Sequence, residues 1–296
     1  MARKMHDDEV LVTEHLVRRL LADQMADVAD LPLTLVEPWG TDNAIWRLGA
    51  YHTVRLPRIH WATDQIERDA SWLPRLAAAL PVPIPEPVAI GEPGHGYPFR
   101  WAVHRWLPGI QATLHDQRDH DEFALALAGF VERLRANPIA GAPSARNRAR
   151  PLVDYDEETR RAIASAGGLI DAAAATAVWE DALAAPPATE TVWVHGDLEG
   201  NCLLVDGELG GVLDWGSTCV GDLAVDVQVV WSPLFTERSR QTFLEALAVD
   251  EATVARSRGA AINQACAALP YYLDTYPEIV ARSWHKLAAL GIPALG

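Results

Sequence analysis

The sequence changes character at Pro108-Gly109, and that change constrains the fold more than any other feature of the chain. Before it, Leu31 to Pro38, Ala44 to Leu48, His52 to Leu56, Val88 to Ile90 and Trp101 to Trp106 are short apolar, β-branched or aromatic runs that read as strands. Gly40-Thr41-Asp42-Asn43 and Gly49-Ala50 supply turn residues between the first three, so a small antiparallel sheet is expected. Helical spacing precedes these strands at Glu14 and Leu16 to Met25 and interrupts them at Ala62 to Leu80, where the proline-rich Pro81 to Pro87 ends the second helix. After the change, Phe123, Leu127, Phe130, Val131 and Leu134 recur at helical spacing, and alanine-rich helical segments follow to Asp181. One sheet signal persists in this half. The apolar runs Cys202 to Val205 and Leu209 to Leu213 flank Asp206-Gly207, a strong hairpin turn.

At 296 residues the chain exceeds the usual size of a single hydrophobic core. The expected fold is therefore α+β in two lobes: residues 1–107 form the smaller, sheet-bearing lobe, and residues 108–296 the larger, mainly helical one. Hydrophobic residues make up 49% and charged residues 22% with no polar low-complexity run, so the chain should fold throughout. The longest apolar stretches, such as Ala172 to Trp179, are too short to cross a bilayer, and Met1 to Asp8 is charged rather than signal-like, which points to the cytoplasm. Cys202, Cys219 and Cys266 are an odd number without metal-ligand spacing, so neither a disulfide framework nor a zinc site is expected. A net charge of -15 disfavours nucleic acid and anionic membrane as partners. It suits a cationic ligand, although an acidic surface that only keeps the chain soluble is the plainer explanation. Lysine occurs only as Lys4 and Lys286, and arginine carries nearly all the basic charge.

The stretch richest in chemistry is Val194-His195-Gly196-Asp197-Leu198-Glu199-Gly200-Asn201, followed by the hairpin and Val212-Leu213-Asp214-Trp215-Gly216. A two-strand hairpin between Asn201 and Asp214 returns its two ends to one point in space. Phosphoryl transfer needs one carboxylate to orient or deprotonate the attacking hydroxyl, and oxygen ligands that hold magnesium on the phosphates. Asp197, Asn201 and Asp214 supply that inventory. A lone His-Gly-Asp is more often a turn with a capped aspartate than an active site; the combination is what carries weight.

The pattern His-Gly-Asp, a few residues, Asn, a short hairpin and Asp resembles the aminoglycoside-phosphotransferase and choline-kinase-like family. Gly221-Asp222-Leu223-Ala224-Val225-Asp226 resembles its downstream Gly-Asp-Pro-Ala-x-Asp segment. The resemblance spans roughly Leu33 to Trp231 and implies a two-lobed protein-kinase-like fold. It implies Asp197 as catalytic base, His195 as support for the catalytic loop, Asn201 and Asp214 as Mg2+ ligands, and a structural role for Asp226. Three residues separate Asp197 from Asn201 where the family usually has four, so an alternative alignment would place Cys202 at the ligand position. Asn201 is the better choice because a thiol is a poor ligand for a hard cation.

Upstream, Gly40, Thr41 and Asn43 lie in a segment that resembles the family's phosphate-covering strand-turn-strand. Val54-Arg55-Leu56 resembles the strand carrying its phosphate-binding lysine, with Arg55 in the lysine's place. The helix acid that would orient Arg55 is Glu67 or Asp69, and the spacing to Leu80-Pro81-Val82-Pro83 favours Asp69. Val103 to Leu107, Trp106 included, would be the hinge that meets the base of ATP or GTP. The implied reaction moves the γ-phosphate of ATP or GTP to a hydroxyl of a small molecule, with a cationic, aminoglycoside-like antibiotic as the expected acceptor. Asp274, Glu278 and Glu245 are candidate cation contacts, and solvated carboxylates otherwise. Two other classes stay open: a catalytically silent nucleotide-binding protein, suggested by Arg55 and the short loop, and a metal-dependent hydrolase using His195, Asp197 and Asp214.

Overall fold

The computed structural model of the chain describes residues 9–36, 42–112, 121–146 and 148–295. They fall into two units, Met1–Ala79 with Pro83–Pro108, and Leu80–Val82 with Gly109–Gly296.

The first unit opens on α1 (Glu14–Gln24), whose N-cap Thr13 accepts a hydrogen bond from the Leu16 amide. Val17, Leu20 and Leu21, at i, i+3 and i+4, form its buried face. Burial of each such leucine stabilises by about 1.5 to 3 kcal/mol. That face packs into a core with Trp46, Leu48, Val54, Leu56, Tyr97, Trp101 and Val103, all but Tyr97 drawn from a five-stranded antiparallel sheet. Its strands are β1 (Leu33–Leu35), β2 (Asn43–Leu48), β3 (His52–Pro57), β4 (Pro87–Gly91) and β5 (Trp101–Arg105), in the order β1-β2-β3-β5-β4. β1 covers only part of the expected Leu31 to Pro38, whose last two residues lie outside the described residues. After β3 comes α2 (Thr63–Ala77), with Ile66, Asp69, Leu73 and Leu76 buried along one face. An aspartate in that apolar stripe requires a partner.

The second unit is mainly helical, as the sequence predicts: α3 (Asp121–Arg135), α4 (Asp156–Ala166), α5 (Ala172–Ala184), α6 (Ala224–Val227), α7 (Glu237–Ala246), α8 (Glu251–Tyr272) and α9 (Pro277–Ala289). α8 is its axis, burying Gly259, Ala261, Ile262, Ala265, Cys266 and Leu269 and packing against α4, α5, α6 and α9. The strands are short: β6 (Ile110–Gln111), β7 (Val192–Val194), β8 (Cys202–Val205), β9 (Glu208–Val212) and β10 (Cys219–Gly221). β8 and β9 are the expected hairpin. Asp206 and Gly207 have φ of 54° and 88°, the pair of positive values that a two-residue type I′ turn demands. β6 adds a third strand beside β8, and β7 pairs antiparallel with β10. No described helix is long and apolar enough to cross a membrane.

Candidate active site

The loop between β7 and β8 carries Asp197 and Asn201, and the end of β9 leads into Asp214. Hydrogen bonds join these positions in a ring. The Asp197 amide donates to His195 Nδ1 at 3.2 Å, and His195 Nε2 lies 2.8 Å from the Leu213 carbonyl. An amide can only donate and a carbonyl only accept, so the imidazole is the neutral tautomer with its proton on Nε2. The Leu213 amide donates to the Asn201 carbonyl at 2.7 Å, and Asn201 Nδ2 donates to the Asp197 carbonyl at 2.7 Å, which closes the ring. Leu213 immediately precedes Asp214, so the ring ties that exposed carboxylate to the loop holding Asp197 and Asn201. Asp214 adopts φ 51°, and its Oδ1 accepts from the Gly216 amide at 3.3 Å.

Asp226 braces the ring from below. Its Oδ2 accepts from the His195 amide at 2.8 Å and its Oδ1 from the Gly196 amide at 2.7 Å. Complete burial pushes its carboxyl up, an effect opposed by the hydrogen bonds from the His195 and Gly196 amides. The His195 ring is fully buried, edge-on to Trp215 at 5.0 Å between centroids. Cys202 is buried as well, with Sγ directed at the Leu198 carbonyl, and burial, reinforced by Asp226, pushes its thiol up to about 12.

Two cations that sequence reasoning passed over touch this loop. Arg148 Nη1 donates to Asp197 Oδ1 and to the Gly196 carbonyl. Lys286 pairs with Glu199. The signals available were the run Arg146, Arg148, Arg150 and the isolation of Lys286 in a lysine-poor chain, and neither indicates a partner. Of the candidate cation contacts, Glu278 pairs with Arg282, Glu245 accepts from Gln241, and Asp274 is exposed.

In the first unit, Arg55 Nη1 meets Asp69 Oδ2 at 2.9 Å, and Arg55 Nη2 donates to Gln65 Oε1 at 2.6 Å. Glu67 instead contacts Arg100 on the surface. Asn43 Nδ2 donates to the same Gln65 oxygen at 3.3 Å, leaving its buried Oδ1 without a partner. Gln65 had no signal of its own beyond lying one turn before Asp69 on α2. Gly40 and Thr41 lie outside the described residues. Val103 pairs with Val54 inside the sheet, and the Trp106 amide is engaged by the Tyr51 carbonyl at 2.8 Å. His104, beside Arg55, is buried with Nε2 unpartnered, and burial with the Arg55 charge pushes it down to about 3.

The model of the phosphotransferase enzyme family matches residues 36–262. Among curated proteins nothing matches the chain. Of solved structures, the GDP complex of wild-type aminoglycoside 2'-phosphotransferase-IIIa is similar with a TM-score of 0.73 at 18% identity, covering 95% of this chain and 98% of that one. The GDP and kanamycin complex of APH(2")-IIia gives 0.72 at 18% identity over 93% and 98%. A macrolide 2'-phosphotransferase from Brachybacterium faecium gives 0.58 at 24% identity over 94% and 97%. At these identities the likeness is one of fold, and the α+β architecture is the kinase-like fold of these enzymes.

Proposed function

Because this chain belongs to the phosphotransferase enzyme family, we propose that it transfers the γ-phosphate of ATP or GTP to a hydroxyl of a small molecule, with Asp197 as the base. The observation that carries this reading is the hydrogen-bond ring through Asp197, His195, Leu213 and Asn201, since it holds the backbone bearing Asp197, Asn201 and the adjoining Asp214 on one scaffold. Arg148 occupies Asp197 Oδ1, which leaves Oδ2 to take the acceptor's proton. As the acceptor oxygen bonds to the γ-phosphorus, the bond to the β,γ-bridging oxygen breaks, the hydroxyl proton passes to Asp197, and a nucleoside diphosphate leaves.

Asn201 and Asp214 are the residues that would hold Mg2+. The donor set suits a hard cation: Asn201 uses its amide nitrogen on the Asp197 carbonyl, so its oxygen is the atom left to coordinate, and Asp214 is an exposed carboxylate. Bound there, the ion would neutralise charge on the nucleotide phosphates. Cys202 is a buried, protonated thiol and does not fit that role. The hydrolase reading lacks a comparable set, since no group of three or more His, Cys, Asp or Glu converges on a metal position among the described residues.

Arg55 would face the phosphates, held by Asp69 and Gln65, with Asn43 beside it. For a cationic acceptor, attraction comes from the overall charge of -15, because Glu199 and Glu278 already pair with Lys286 and Arg282. A nucleotide-consumption screen over aminoglycosides, macrolides, amines and sugars, with mass spectrometry of the product, tests the proposal. Phosphate on one acceptor hydroxyl supports it. Magnesium-dependent nucleotide binding without turnover on any acceptor would establish the silent binder instead.

A further inference from the structure

Lysine occurs at two positions among 25 basic residues, and arginine stands even at position 55. Lys286, on α9, therefore runs against the composition of the chain, and it is only 4% exposed. Its ammonium pairs with Glu199 and donates to Gln264 Oε1 on α8 at 3.1 Å. Glu199 is the middle of the three residues that link Asp197 to Asn201. One turn earlier on α9, Arg282 lies against Gly200, the next residue of the link. A Cβ at Gly200 would run into that guanidinium, and its φ of +78° also demands glycine. From β6, Gln111 Nε2 donates to the Gly200 carbonyl. None of these three side chains belongs to the hydrogen-bond ring, yet they hold its shortest segment.

Stability does not explain the arrangement. A buried ammonium–carboxylate pair gains little or nothing over apolar residues of the same volume. Here Glu199 Oε1 and Gln264 Nε2 are buried without partners, which weakens the folded state further. A link of three residues has little slack, so a displacement of Glu199 passes directly to Asp197 on one side and Asn201 on the other. An ammonium suits the place because one tetrahedral nitrogen can serve two acceptors in a closed space, where a planar guanidinium fork needs a wider one.

We propose that Lys286 is a positioning residue: through Glu199 it sets the conformation of the three-residue link and so the placement of Asp197 relative to Asn201. The effect on the loop rests on geometry alone; its effect on turnover rests on the phosphotransferase reading. The test uses the full chain as wild type, Lys286→Met, Lys286→Arg and the double variant Glu199→Leu with Lys286→Met. Each is assayed for steady-state kinetics, thermal unfolding and amide hydrogen exchange across residues 195–214. Expected for Lys286→Met is a kcat at least about tenfold lower, a smaller rise in nucleotide KM because Asn201 shifts while Asp214 and Arg55 stay untouched, and faster exchange at 197–201. Lys286→Arg should not restore kcat. The double variant should recover the melting temperature but not kcat. Recovery of kcat together with melting would reduce the pair to a structural role and overturn the proposal, as would unchanged exchange at 197–201. If Lys286→Met does not fold, the Arg and double variants carry the same comparison. If the wild type consumes no nucleotide with any acceptor, the kinase reading fails, and exchange at 197–201 still decides the proposal.

Discussion

Arg148 Nη1 donates to Asp197 Oδ1 at 2.8 Å and to the Gly196 carbonyl at 3.1 Å, so one guanidinium grips both the carboxylate and the backbone beside it. The two side chains are 32% and 34% exposed, and an ion pair so open to solvent contributes little to stability. Its effect should appear in turnover. Arg148→Ala is expected to lower kcat about tenfold or more by freeing the base to rotate, with the melting temperature nearly unchanged. Steady-state kinetics beside thermal unfolding checks this, and equal loss in both would assign Arg148 to the fold.

Replacement of the base itself should be more severe. Asp197→Asn keeps the shape and removes the proton acceptor, and a loss of at least about 10²-fold in turnover is expected with nucleotide affinity retained. Near wild-type turnover would remove Asp197 from the mechanism.

The metal assignment separates three neighbouring variants. Asp214→Ala should abolish magnesium-dependent nucleotide binding, Asn201→Ala should weaken it, and Cys202→Ser should change little. Thermal shift with ATP or GTP, with and without magnesium, measures all three. A damaging Cys202→Ser would move the ligand position by one residue.

Arg55 and Asp69 form a buried pair, with side chains 10% and 4% exposed. Removal of either partner takes away the principal counter-charge of the other in a buried place and should destabilise by up to about 3 to 5 kcal/mol, and a double-mutant cycle should reveal coupling between them. Glu67→Ala should show none. Arg55→Lys should retain more nucleotide affinity than Arg55→Ala because the charge survives.

His104 is held neutral far below the ordinary histidine range by burial and by the Arg55 charge. The unfolded chain protonates this histidine near pH 6.5 while the folded chain does not, so acid favours unfolding from that point down to about pH 3. The slope is about 1.4 kcal/mol per pH unit, so between pH 6.5 and 5 this residue should withdraw roughly 2 kcal/mol. Denaturant unfolding of His104→Phe across that interval should show a correspondingly shallower loss. An identical slope would mean that His104 already carries its proton in the folded chain.

The sequence was most informative where backbone demands and chemistry coincide. Asp206-Gly207 announces a turn that only positive φ values satisfy, and the hairpin it closes brings Asp214 back to Asn201. For Asp69 against Glu67 the sequence offers only the spacing to Leu80-Pro81-Val82-Pro83, and the structure adds the buried stripe Ile66, Asp69, Leu73, Leu76, which excludes Glu67 because residues two apart face different sides of a helix. What escaped notice are contacts made by long side chains across large sequence separations. Arg148 reaches Asp197 from a loop, and Lys286 reaches Glu199 from the last helix. Nothing local distinguishes such an arginine or lysine from one in solvent. Strands β6, β7 and β10 are two or three residues long, too short to set up a period.

If Arg55 faces the phosphates as proposed, its guanidinium also decides which reagents can detect a nucleotide site in this protein. Acylating and carbonyl-capturing probes need an amine that can lose its proton, and arginine does not provide one. The single amine side chain among the described residues, Lys286, is buried against Glu199 and Gln264. A nucleotide-shaped probe that captures kinases through a lysine beside the phosphates would then find arginine at that place, and no exposed lysine among the described residues. Surveys based on such capture would count it as absent, and inhibitors designed on the same chemistry would bind only reversibly.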